Sequence, residues 1–278
     1  MAPPLTSGPV HRPFRFGLVR LFLRVVVHAL FRVRVEGREH LPAGAAIYCS
    51  NHLNWTDPLI ILAVLPRTPK LAMFGPKEAD MTRGGRNRLI VWAGFAVPYR
   101  PEKTDLLETA RRVKAVLEDG WALFIFGEGR IHRGERELLP LADGTAFFAL
   151  RGGVPIVPIA INGTSWLGFG RTIRIRIGAP IHGEPGRATR EGIATLTART
   201  ETALLELVAD FPDRRVPGPF GRWLTELFND WPEGRRPALG EGDAAGTDLR
   251  ARRARGTGAA PSTAGEEARP VPEEVPAG

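Results

Sequence analysis

Short apolar runs alternate with helical stretches along the middle of the chain, between about residue 33 and residue 211. The apolar runs end at glycine, proline or polar residues, as buried strands do, and this alternation is typical of an α/β domain. The pattern predicts strands at 45–49, 71–74, 94–98, 121–126, 154–160 and 171–177. In the last of these, isoleucine alternates strictly with arginine, which predicts buried isoleucines and arginines on a solvated face.

Two stretches between the strands have the period of an amphipathic helix. At about 104–118, four apolar residues share one face, Thr104 or Asp105 supplies a cap, and Gly120 follows as a stop signal. A second helix is predicted at about 189–209, where isoleucine and leucine residues fall on one side. Both helices are long enough to cover one face of a sheet.

The amino-terminal region combines positive charge with an apolar helical pattern. The first 38 residues contain seven arginines and one acidic residue, Glu36. Within 14–30, Arg20, Arg24 and His28 are four residues apart and form a narrow stripe on a helix. The arginines interrupt the apolar run too often for a membrane span, so the pattern predicts a helix in the headgroup layer with arginines toward lipid phosphates. The alternative is a helix that packs on the core while its arginines reach solvent.

Composition divides the 278 residues into four segments. We predict a basic amphipathic membrane-associating segment, a catalytic domain, an amphipathic carboxyl-terminal segment and a disordered tail, at 1–34, 35–211, 212–232 and 233–278. The large apolar residues of 219–231 follow helical spacing, and that unit either docks on the core or touches lipid. The net charge of +8 favours an anionic surface, and the lack of interleaved aromatic and basic residues argues against nucleic acid.

The single cysteine, Cys49, excludes an internal disulfide and a cysteine-rich metal site. It lies inside an apolar run, so we interpret it as a buried, inert thiol of a protein in a reducing compartment.

The segment after the first predicted strand carries candidate acid–base chemistry, because His52 precedes Asp57 by five residues. A histidine accepts a proton from a hydroxyl near neutral pH, and a carboxylate holds its ring in the required tautomer. Five residues of unbroken helix rotate about 140°, so the two side chains meet only if a turn feeds a helix. Asp57 as N-cap and Pro58 at the first helical position predict that turn. The alternative is that Asp57 only caps the helix and His52 is an ordinary loop residue.

A second polar turn follows the strand predicted at 121–126. It consists of Gly127, Glu128, Gly129 and Arg130. Glycines let the backbone approach a ligand, and chemistry in open α/β sheets collects at the carboxyl ends of strands. The glutamate and the arginine could bind a polar headgroup there, with the guanidinium on a phosphate. A plain glycine turn with surface charges is the alternative.

These two motifs occur in a fixed order with two further blocks, GFAVPYR at 94–100 and VPIVPIA at 154–160. Together the four blocks resemble those of the lysophospholipid acyltransferases, the 1-acylglycerol-3-phosphate acyltransferase family, over roughly residues 35–185. Lys77, between the first two blocks, is similar to a lysine of that family. The resemblance implies an α/β fold with a mixed central sheet flanked by helices, preceded here by the amphipathic amino-terminal helix.

The resemblance also implies a role for individual residues. His52 would be the general base and Asp57 its orienting partner. The residues implied to bind substrate are Asn51, Lys77, Arg100, Glu128, Gly129 and Arg130. The prolines of the fourth block, implied in structure or in binding of the acyl donor, are Pro155 and Pro158. The histidines that fit no block, and that we interpret as structural or surface residues, are His11, His28, His40, His132 and His182.

The third block departs from the usual family pattern Phe-Pro-Glu-Gly-Thr-Arg-Ser. Gly127 stands at the proline position, Arg130 at the threonine position and Ile131 at the arginine position, while Arg133 is a further candidate for the displaced arginine. In the second block, Tyr99 stands where an acidic residue is usual. These differences concern the acceptor headgroup more than the reaction.

The reaction that the resemblance implies is direct acyl transfer. His52 would remove the proton from the free hydroxyl of a lysophospholipid, foremost 1-acylglycerol-3-phosphate, and the oxygen would attack the thioester of acyl-CoA or acyl carrier protein. The expected partners are these two substrates and a membrane surface, without nucleic acid, metal or cofactor. The expected location is the cytoplasmic face of the cell membrane, with peripheral or monotopic attachment.

Two alternatives remain open at this stage. One is the same reaction on another lyso-lipid or a glycolipid, and the other is a non-catalytic lipid-binding protein at the membrane surface. A serine hydrolase is disfavoured because the chain has no Gly-x-Ser-x-Gly elbow.

Overall fold

One seven-stranded sheet organises the part of the chain that the computed structural model describes. The described residues are 13–77, 92–94, 96–99, 106–132, 134–184, 188–212 and 217–228. The strands are β1 (Arg32–Glu36), β2 (Ala46–Ser50), β3 (Leu71–Lys77), β4 (Ala96–Tyr99), β5 (Ala122–Phe126), β6 (Ile156–Asn162) and β7 (Thr172–Ile177). Their order across the sheet is β1-β7-β6-β2-β5-β3-β4.

The sheet is mixed, as the resemblance implied. Strands β2 to β6 run parallel to one another. Strand β7 is antiparallel to β6, and β1 is parallel to β7. The carboxyl ends of the five parallel strands therefore lie along one edge, which we call the carboxyl edge. Ligand sites of open α/β sheets form at such an edge.

Helices cover both faces of this sheet. They are α1 (Pro13–Leu30), α2 (Asp57–Val64), α3 (Leu106–Glu118), α4 (Gly144–Gly152), α5 (Arg190–Ala209) and α6 (Pro219–Phe228). Helices α1 and α2 share an apolar cluster with one face of the sheet, and α3, α4 and α5 share a second cluster with the other face. Since the central strands are buried on both faces, they appear in the sequence as continuous apolar runs.

All six strand predictions correspond to observed strands, with bounds shifted by a few residues. The three isoleucines of β7 are buried, as the alternation predicted. The prediction that its arginines form a solvated face was wrong for Arg176. Its Nη1 donates to the carbonyl oxygen of Leu207 at 3.1 Å, and its guanidinium lies 4.6 Å from the centre of the Phe211 ring. The end of α5 lies over this face of the sheet and accounts for those contacts.

Two elements were not predicted. Strand β1 alternates arginine with valine, and the predicted segment boundary after residue 34 falls inside it. Because β1 is an edge strand with polar residues at alternate positions, its sequence resembles the rest of the basic amino-terminal region and does not indicate a strand. Helix α4 has glycine at its first and last positions, and both glycines resemble loop signals in the sequence.

Helix α1 packs on the core with one face and exposes apolar residues on the other. The buried apolar residues are Phe16, Val19, Leu23 and Val27. Arg20 is only 7% exposed, and burial, with the nearby charges of Arg67 and Arg24, lowers the pKa of its guanidinium to about 10. The outer residues, each at least half exposed, are Phe14, Leu18, Leu21, Phe22 and Val25. The core-packed alternative is therefore correct for the inner face, but its expectation that the arginines reach solvent is wrong for Arg20. Membrane contact by the outer face stays a prediction.

The length and composition of the described helices also limit how they meet a membrane. None of them is both long enough and apolar enough to cross a bilayer.

Candidate active site

A turn at the carboxyl edge brings His52 and Asp57 together. Strand β2 ends at Ser50 and α2 begins at Asp57, so the residues between them reverse the chain. His52 Nδ1 lies 3.0 Å from Asp57 Oδ2, which confirms that the two side chains meet. The predicted N-cap role of Asp57 was wrong, because Thr56 is the N-cap residue and Asp57 is the first residue of α2.

The Asp57 carboxylate is bonded to the turn that precedes it, which explains why it does not cap its own helix. Its Oδ2 accepts from the backbone N–H of Leu53 at 2.7 Å and of Asn54 at 2.8 Å. An oxygen that already accepts two backbone bonds acts as an acceptor toward the ring as well, so we place the ring proton on His52 Nδ1. Nε2 then keeps its lone pair and is the basic nitrogen. Asp57 is fully buried.

The His52 ring is also supported by an aromatic side chain from the neighbouring strand. It stacks on Phe126, the last residue of β5, with ring centres 3.9 Å apart and planes 16° from parallel. The His52 side chain nevertheless keeps 15% of its surface exposed. The ring is thus oriented on two sides and still accessible to a substrate hydroxyl.

Glu128, in the turn after β5, holds the backbone of His52. Its Oε2 accepts from the His52 N–H at 2.7 Å, and its Oε1 accepts from the Leu139 N–H at 2.6 Å. His132 Nε2 lies 2.9 Å from the same Oε1. Because both carboxylate oxygens are occupied by protein groups, Glu128 positions the base, and a contact of Glu128 with substrate stays a prediction.

His132 was interpreted from the sequence as a structural or surface residue, but the structure places it inside the site, 5% exposed. Its backbone N–H donates to the His52 carbonyl oxygen at 3.0 Å. Its Nδ1 accepts from the Gly134 N–H at 3.1 Å, which leaves the ring proton on Nε2, facing Glu128. The four-residue spacing from Glu128 to His132 is the sequence signal that could have identified the pair.

Asn51 connects the catalytic turn to the next strand. Its Nδ2 donates to the Ile161 carbonyl oxygen at 3.0 Å, and its Oδ1 accepts from the Ile161 N–H at 2.8 Å. The side chain is fully buried between β2 and β6. Its amide therefore fixes the position of the adjacent His52, and the predicted contact with substrate is untested.

Local packing explains the glycine at the proline position of the third block. The Gly127 N–H donates to the Ser50 carbonyl oxygen at 3.0 Å, a bond that proline cannot make. A Cβ at this position would also lie 2.7 Å from Cys49 Sγ and 2.8 Å from Leu141 Cδ2. Gly129 has a φ of +65°, which favours glycine, and it is exposed at the tip of the turn.

The structure describes only some of the cationic side chains that were predicted to bind substrate. Arg130 is exposed, and within the described ranges it has neither a hydrogen bond nor an ion pair. Lys77 ends β3, so its backbone lies at the carboxyl edge, but its side chain is outside the described part of the structure. Arg100 and Arg133 lie outside the described residues. Of these cations, the structure therefore places the side chain of Arg130 alone at the site.

Cys49 is buried as predicted, and its burial raises the pKa of the thiol to about 12. A thiol with that pKa is not a nucleophile near neutral pH. Among the residues that the structure describes, no three histidine, cysteine, aspartate or glutamate side chains are grouped to hold a metal ion. The histidine–aspartate pair is the acid–base group that the described residues bring together at the carboxyl edge.

Part of the chain is similar to known proteins. Residues 32–162 match the family model described as Acyltransferase. The chain is 30% identical over 167 residues to the 1-acyl-sn-glycerol-3-phosphate acyltransferase of Haemophilus influenzae, covering 55% of this chain and 63% of the relative. It is 24% identical over 161 residues to the Brassica napus protein named 1-acyl-sn-glycerol-3-phosphate acyltransferase BAT2, chloroplastic, covering 55% and 44%.

The Acyltransferase family model matches a little less than half of the chain. We call the matched residues 32–162 the acyltransferase-family domain. The chain spans less than two thirds of the length of these curated relatives. The fold agrees with the crystal structure of the 1-acyl-sn-glycerophosphate acyltransferase PlsC from Thermotoga maritima, with a TM-score of 0.56, 18% identity, and coverage of 72% of this chain and 81% of that one.

The acyltransferase-family domain contains both turns of the site. His52 and Asp57 follow β2, and Glu128 and His132 follow β5, all within the matched residues. Helices α1 and α6 lie outside the match. The paired side chains of His52 and Asp57 thus lie inside the matched region, whereas the two outer helices have to be interpreted from their own contacts.

Proposed function

We propose that this protein is an O-acyltransferase that moves a fatty acyl group from acyl-CoA or acyl carrier protein to the free hydroxyl of a lysophospholipid. The acceptor in this proposal is 1-acylglycerol-3-phosphate, and the product is phosphatidic acid. The observation that carries the proposal is the 3.0 Å contact between His52 Nδ1 and Asp57 Oδ2 inside an acyltransferase-family domain. The names of the curated relatives support the choice of acceptor.

In the proposed reaction, His52 Nε2 accepts the hydroxyl proton of the acceptor as its oxygen attacks the thioester carbonyl carbon. The new C–O bond forms, the C–S bond breaks, and the imidazolium returns its proton to the departing thiolate. Asp57 stabilises the imidazolium and keeps the ring oriented. General-base action of this kind contributes about 10² to 10⁴ in rate, and alignment of the two substrates adds to it. These steps require no metal or cofactor.

The supporting residues give this chemistry its geometry. Glu128 and His132 hold the backbone of His52 from the β5 side, and Asn51 holds the same turn from the β6 side. We propose that Arg130, with Lys77 and Arg100, binds the acceptor phosphate. Gly129 leaves open space at the tip of the turn, where a Cβ would meet nothing within 4 Å, and so gives room to that headgroup.

The outer face of α1 fits substrates that reside in a membrane. Its exposed apolar residues would enter the headgroup layer, and Arg24, which is exposed on the same helix, would meet lipid phosphates. We therefore propose peripheral or monotopic attachment at the cytoplasmic face of the cell membrane, with the membrane surface as a partner.

A different acceptor is the second candidate, and the third block motivates it. Gly127 and Ile131 depart from the usual family residues, and the guanidinium of Arg130 stands one position early. A panel of lysophospholipids and lyso-glycolipids, assayed with one acyl-CoA, separates the candidates. Turnover restricted to lysophosphatidic acid supports the first, and preference for an acceptor without a phosphate monoester supports the second.

The proposal is tested by following thiol release from palmitoyl-CoA in detergent micelles, with and without lysophosphatidic acid. We expect acceptor-dependent release by the intact chain and none by His52→Ala. His182→Ala, which alters an exposed histidine, is the matched control and should retain full activity. Acceptor-dependent release that survives in His52→Ala would contradict the proposed role of His52. A folded intact chain that shows no transfer with any acceptor or with acyl carrier protein would favour a lipid-binding role.

A further inference from the structure

Besides Phe14 and Phe22 of α1, large aromatic side chains are exposed at two further places among the described residues outside the acyltransferase-family domain. Phe169, in the 163–171 loop between β6 and β7, is 78% exposed. On α6, Phe220 is 61% exposed and Trp223 is 56% exposed, with their ring centres 5.8 Å apart. We call these three side chains the aromatic patch. Phe169 follows Leu167, which contacts α6, by two residues, so the three side chains belong to neighbouring segments. Exposed apolar surface that extends over neighbouring segments marks an interaction surface.

Helix α6 is docked on the protein, but by its small and polar side. The Leu167 N–H donates to Thr225 Oγ1 at 2.8 Å, and Thr225 is fully buried. A Cβ at Gly221 would lie 2.5 Å from the Leu167 carbonyl oxygen, so the helix and the loop are in close contact at that glycine. An amphipathic helix of a globular protein normally buries its apolar side. Over the part of α6 whose side chains are described, Gly221 and Thr225 are buried, whereas Phe220 and Trp223 are exposed.

The loop that carries Phe169 is held at the carboxyl edge, next to the strand that leads to the site. The buried carboxylate of Glu135 accepts from Asn162 Nδ2 at 2.8 Å, from the Gly163 N–H at 2.7 Å and from the Ser165 N–H at 3.2 Å. Strand β6, which precedes the loop, pairs with β2, which precedes the catalytic turn. The aromatic patch therefore belongs to the same edge of the sheet as the catalytic pair.

The same loop also contacts the end of α1. The Gly170 N–H donates to the Leu30 carbonyl oxygen at 2.8 Å, and the Arg32 N–H donates to the Arg171 carbonyl oxygen at 2.8 Å. The 163–171 loop, which carries Phe169, is thus bonded through its backbone to the carboxyl end of α1. A membrane that contacts the carboxyl end of α1 would therefore lie close to Phe169.

The charge of these segments identifies the occupant. The helix α1, the 163–171 loop and residues 217–225 contain five arginines, of which Arg20 is buried, and no acidic residue; α6 itself contains one acidic residue, Glu226. Apolar and aromatic side chains with basic residues around them fit the headgroup layer of an anionic bilayer. A protein partner with an acidic rim would share the charge, but the long apolar face of α1 favours a lipid surface.

We propose that the aromatic patch is a second lipid contact, which docks the chain on an anionic bilayer together with α1. Two contacts separated along the carboxyl edge fix the tilt of the sheet on the membrane, whereas α1 alone would leave it free to rotate about the helix axis. This inference rests on the proposed function only in that it explains how His52 is presented to lipid substrates. Phe169 and Trp223 are its test positions.

The test uses single accessible cysteines in the full chain. Trp223→Cys, Phe169→Cys and the control Leu107→Cys are labelled with an environment-sensitive fluorophore, and the parent chain, whose Cys49 is buried, serves as the blank. Leu107 is 71% exposed on α3, which packs on the opposite face of the sheet. With vesicles of phosphatidylcholine and phosphatidylglycerol, we expect a blue shift at 223 and 169 and none at 107.

A label on α1, in Phe22→Cys, separates one lipid contact from two. A blue shift at 22 with none at 223 and 169 would overturn the proposal. A shift at 223 that depends on protein concentration in the absence of vesicles would also overturn it, because a second copy would then cover the patch.

Affinity provides the second readout. The double variant Phe169→Ser with Trp223→Ser should partition onto these vesicles on the order of tenfold more weakly, because two large apolar groups no longer leave water. Leu107→Ser is the control and should bind as the intact chain does. Equal binding by all three proteins would overturn the proposal. Since no acyl donor is present in this assay, its outcome is independent of whether the proposed reaction is correct.

Discussion

The catalytic turns and the aromatic patch both lie at the carboxyl edge, but they differ in which side chains are buried and which are exposed. In the turns after β2 and β5, buried polar side chains are matched to one another and to the backbone over distances of 2.6–3.1 Å. In α6 and the 163–171 loop, the inner contacts are made by a glycine and a threonine while aromatic rings stay exposed.

This difference indicates that the catalytic turns and the aromatic patch have different roles. A buried polar group costs about 1–3 kcal/mol when its partner is removed, so a network of such groups holds one geometry and suits a base that has to be aligned. An exposed aromatic group gains free energy only when another surface removes it from water. Changes in the first region should therefore alter the rate, and changes in the second should alter membrane binding.

The largest expected effect comes from removing the His52 side chain, because this change should affect acyl transfer and leave membrane binding intact. His52→Ala should lower acyl transfer by about 10² to 10⁴-fold, because the proposed general base is removed. Vesicle partition should be unchanged, since the aromatic patch and α1 are intact. Turnover in micelles and vesicle sedimentation are measured on the same preparation. A parallel loss of both would show that the regions are not independent.

Asp57 should give the next largest effect. Asp57→Asn keeps the shape of the side chain but places an amide where Oδ2 now accepts three N–H groups. The His52 ring is then no longer held in the required tautomer, and the imidazolium has no negative charge beside it. We expect kcat to fall by about 10²-fold or more. Steady-state kinetics with thermal unfolding as a companion measurement checks this. Full activity in a folded Asp57→Asn protein would assign Asp57 to structure alone.

Glu128 tests whether the β5 turn acts through the His52 backbone. Glu128→Gln turns one oxygen into an amide that faces an N–H donor, and we expect a loss of about 1–3 kcal/mol in the free energy of unfolding. The turnover should fall by about tenfold, the factor that corresponds to 1.4 kcal/mol in the barrier. Urea unfolding and kcat are measured together. A stable protein with unchanged kcat would contradict the positioning role.

His132 should give the smallest effect and sharpens the comparison within the site. His132→Gln keeps an N–H group near Glu128, whereas His132→Leu removes the ring nitrogen that lies 2.9 Å from Glu128 Oε1 and leaves that oxygen with the Leu139 N–H. We expect the leucine variant to lose several-fold in kcat with KM for acyl-CoA unchanged, and the glutamine variant to recover most of the rate. Equal losses in both variants, matched by equal losses of stability, would indicate a packing role only.

The sequence predicts the sheet well because its strands are buried on both faces. Six apolar runs locate six strands, and the short spacing between His52 and Asp57 before a proline predicts the turn that joins them. Strand β1 was not predicted because three of its five residues are exposed and charged, so it lacks the continuous apolar signal of the buried strands.

The sequence does not show which distant segments of the chain contact one another. His132 and Glu128 support His52 across more than seventy residues of chain, and nothing in the local pattern relates the two segments. The helical period of α6 likewise separates an apolar side from a small and polar side, but it does not say which side faces the protein. That choice depends on Leu167, whose carbonyl oxygen and N–H lie against Gly221 and Thr225.

The central claim is that His52 is the base of an acyl transfer, and product formation tests it most directly. Phosphatidic acid formed from palmitoyl-CoA and lysophosphatidic acid in detergent micelles is quantified by mass spectrometry for the intact chain, His52→Ala and His182→Ala. The account predicts product from the intact chain and from His182→Ala, and at least about 10²-fold less from His52→Ala. Equal product from all three proteins would contradict it.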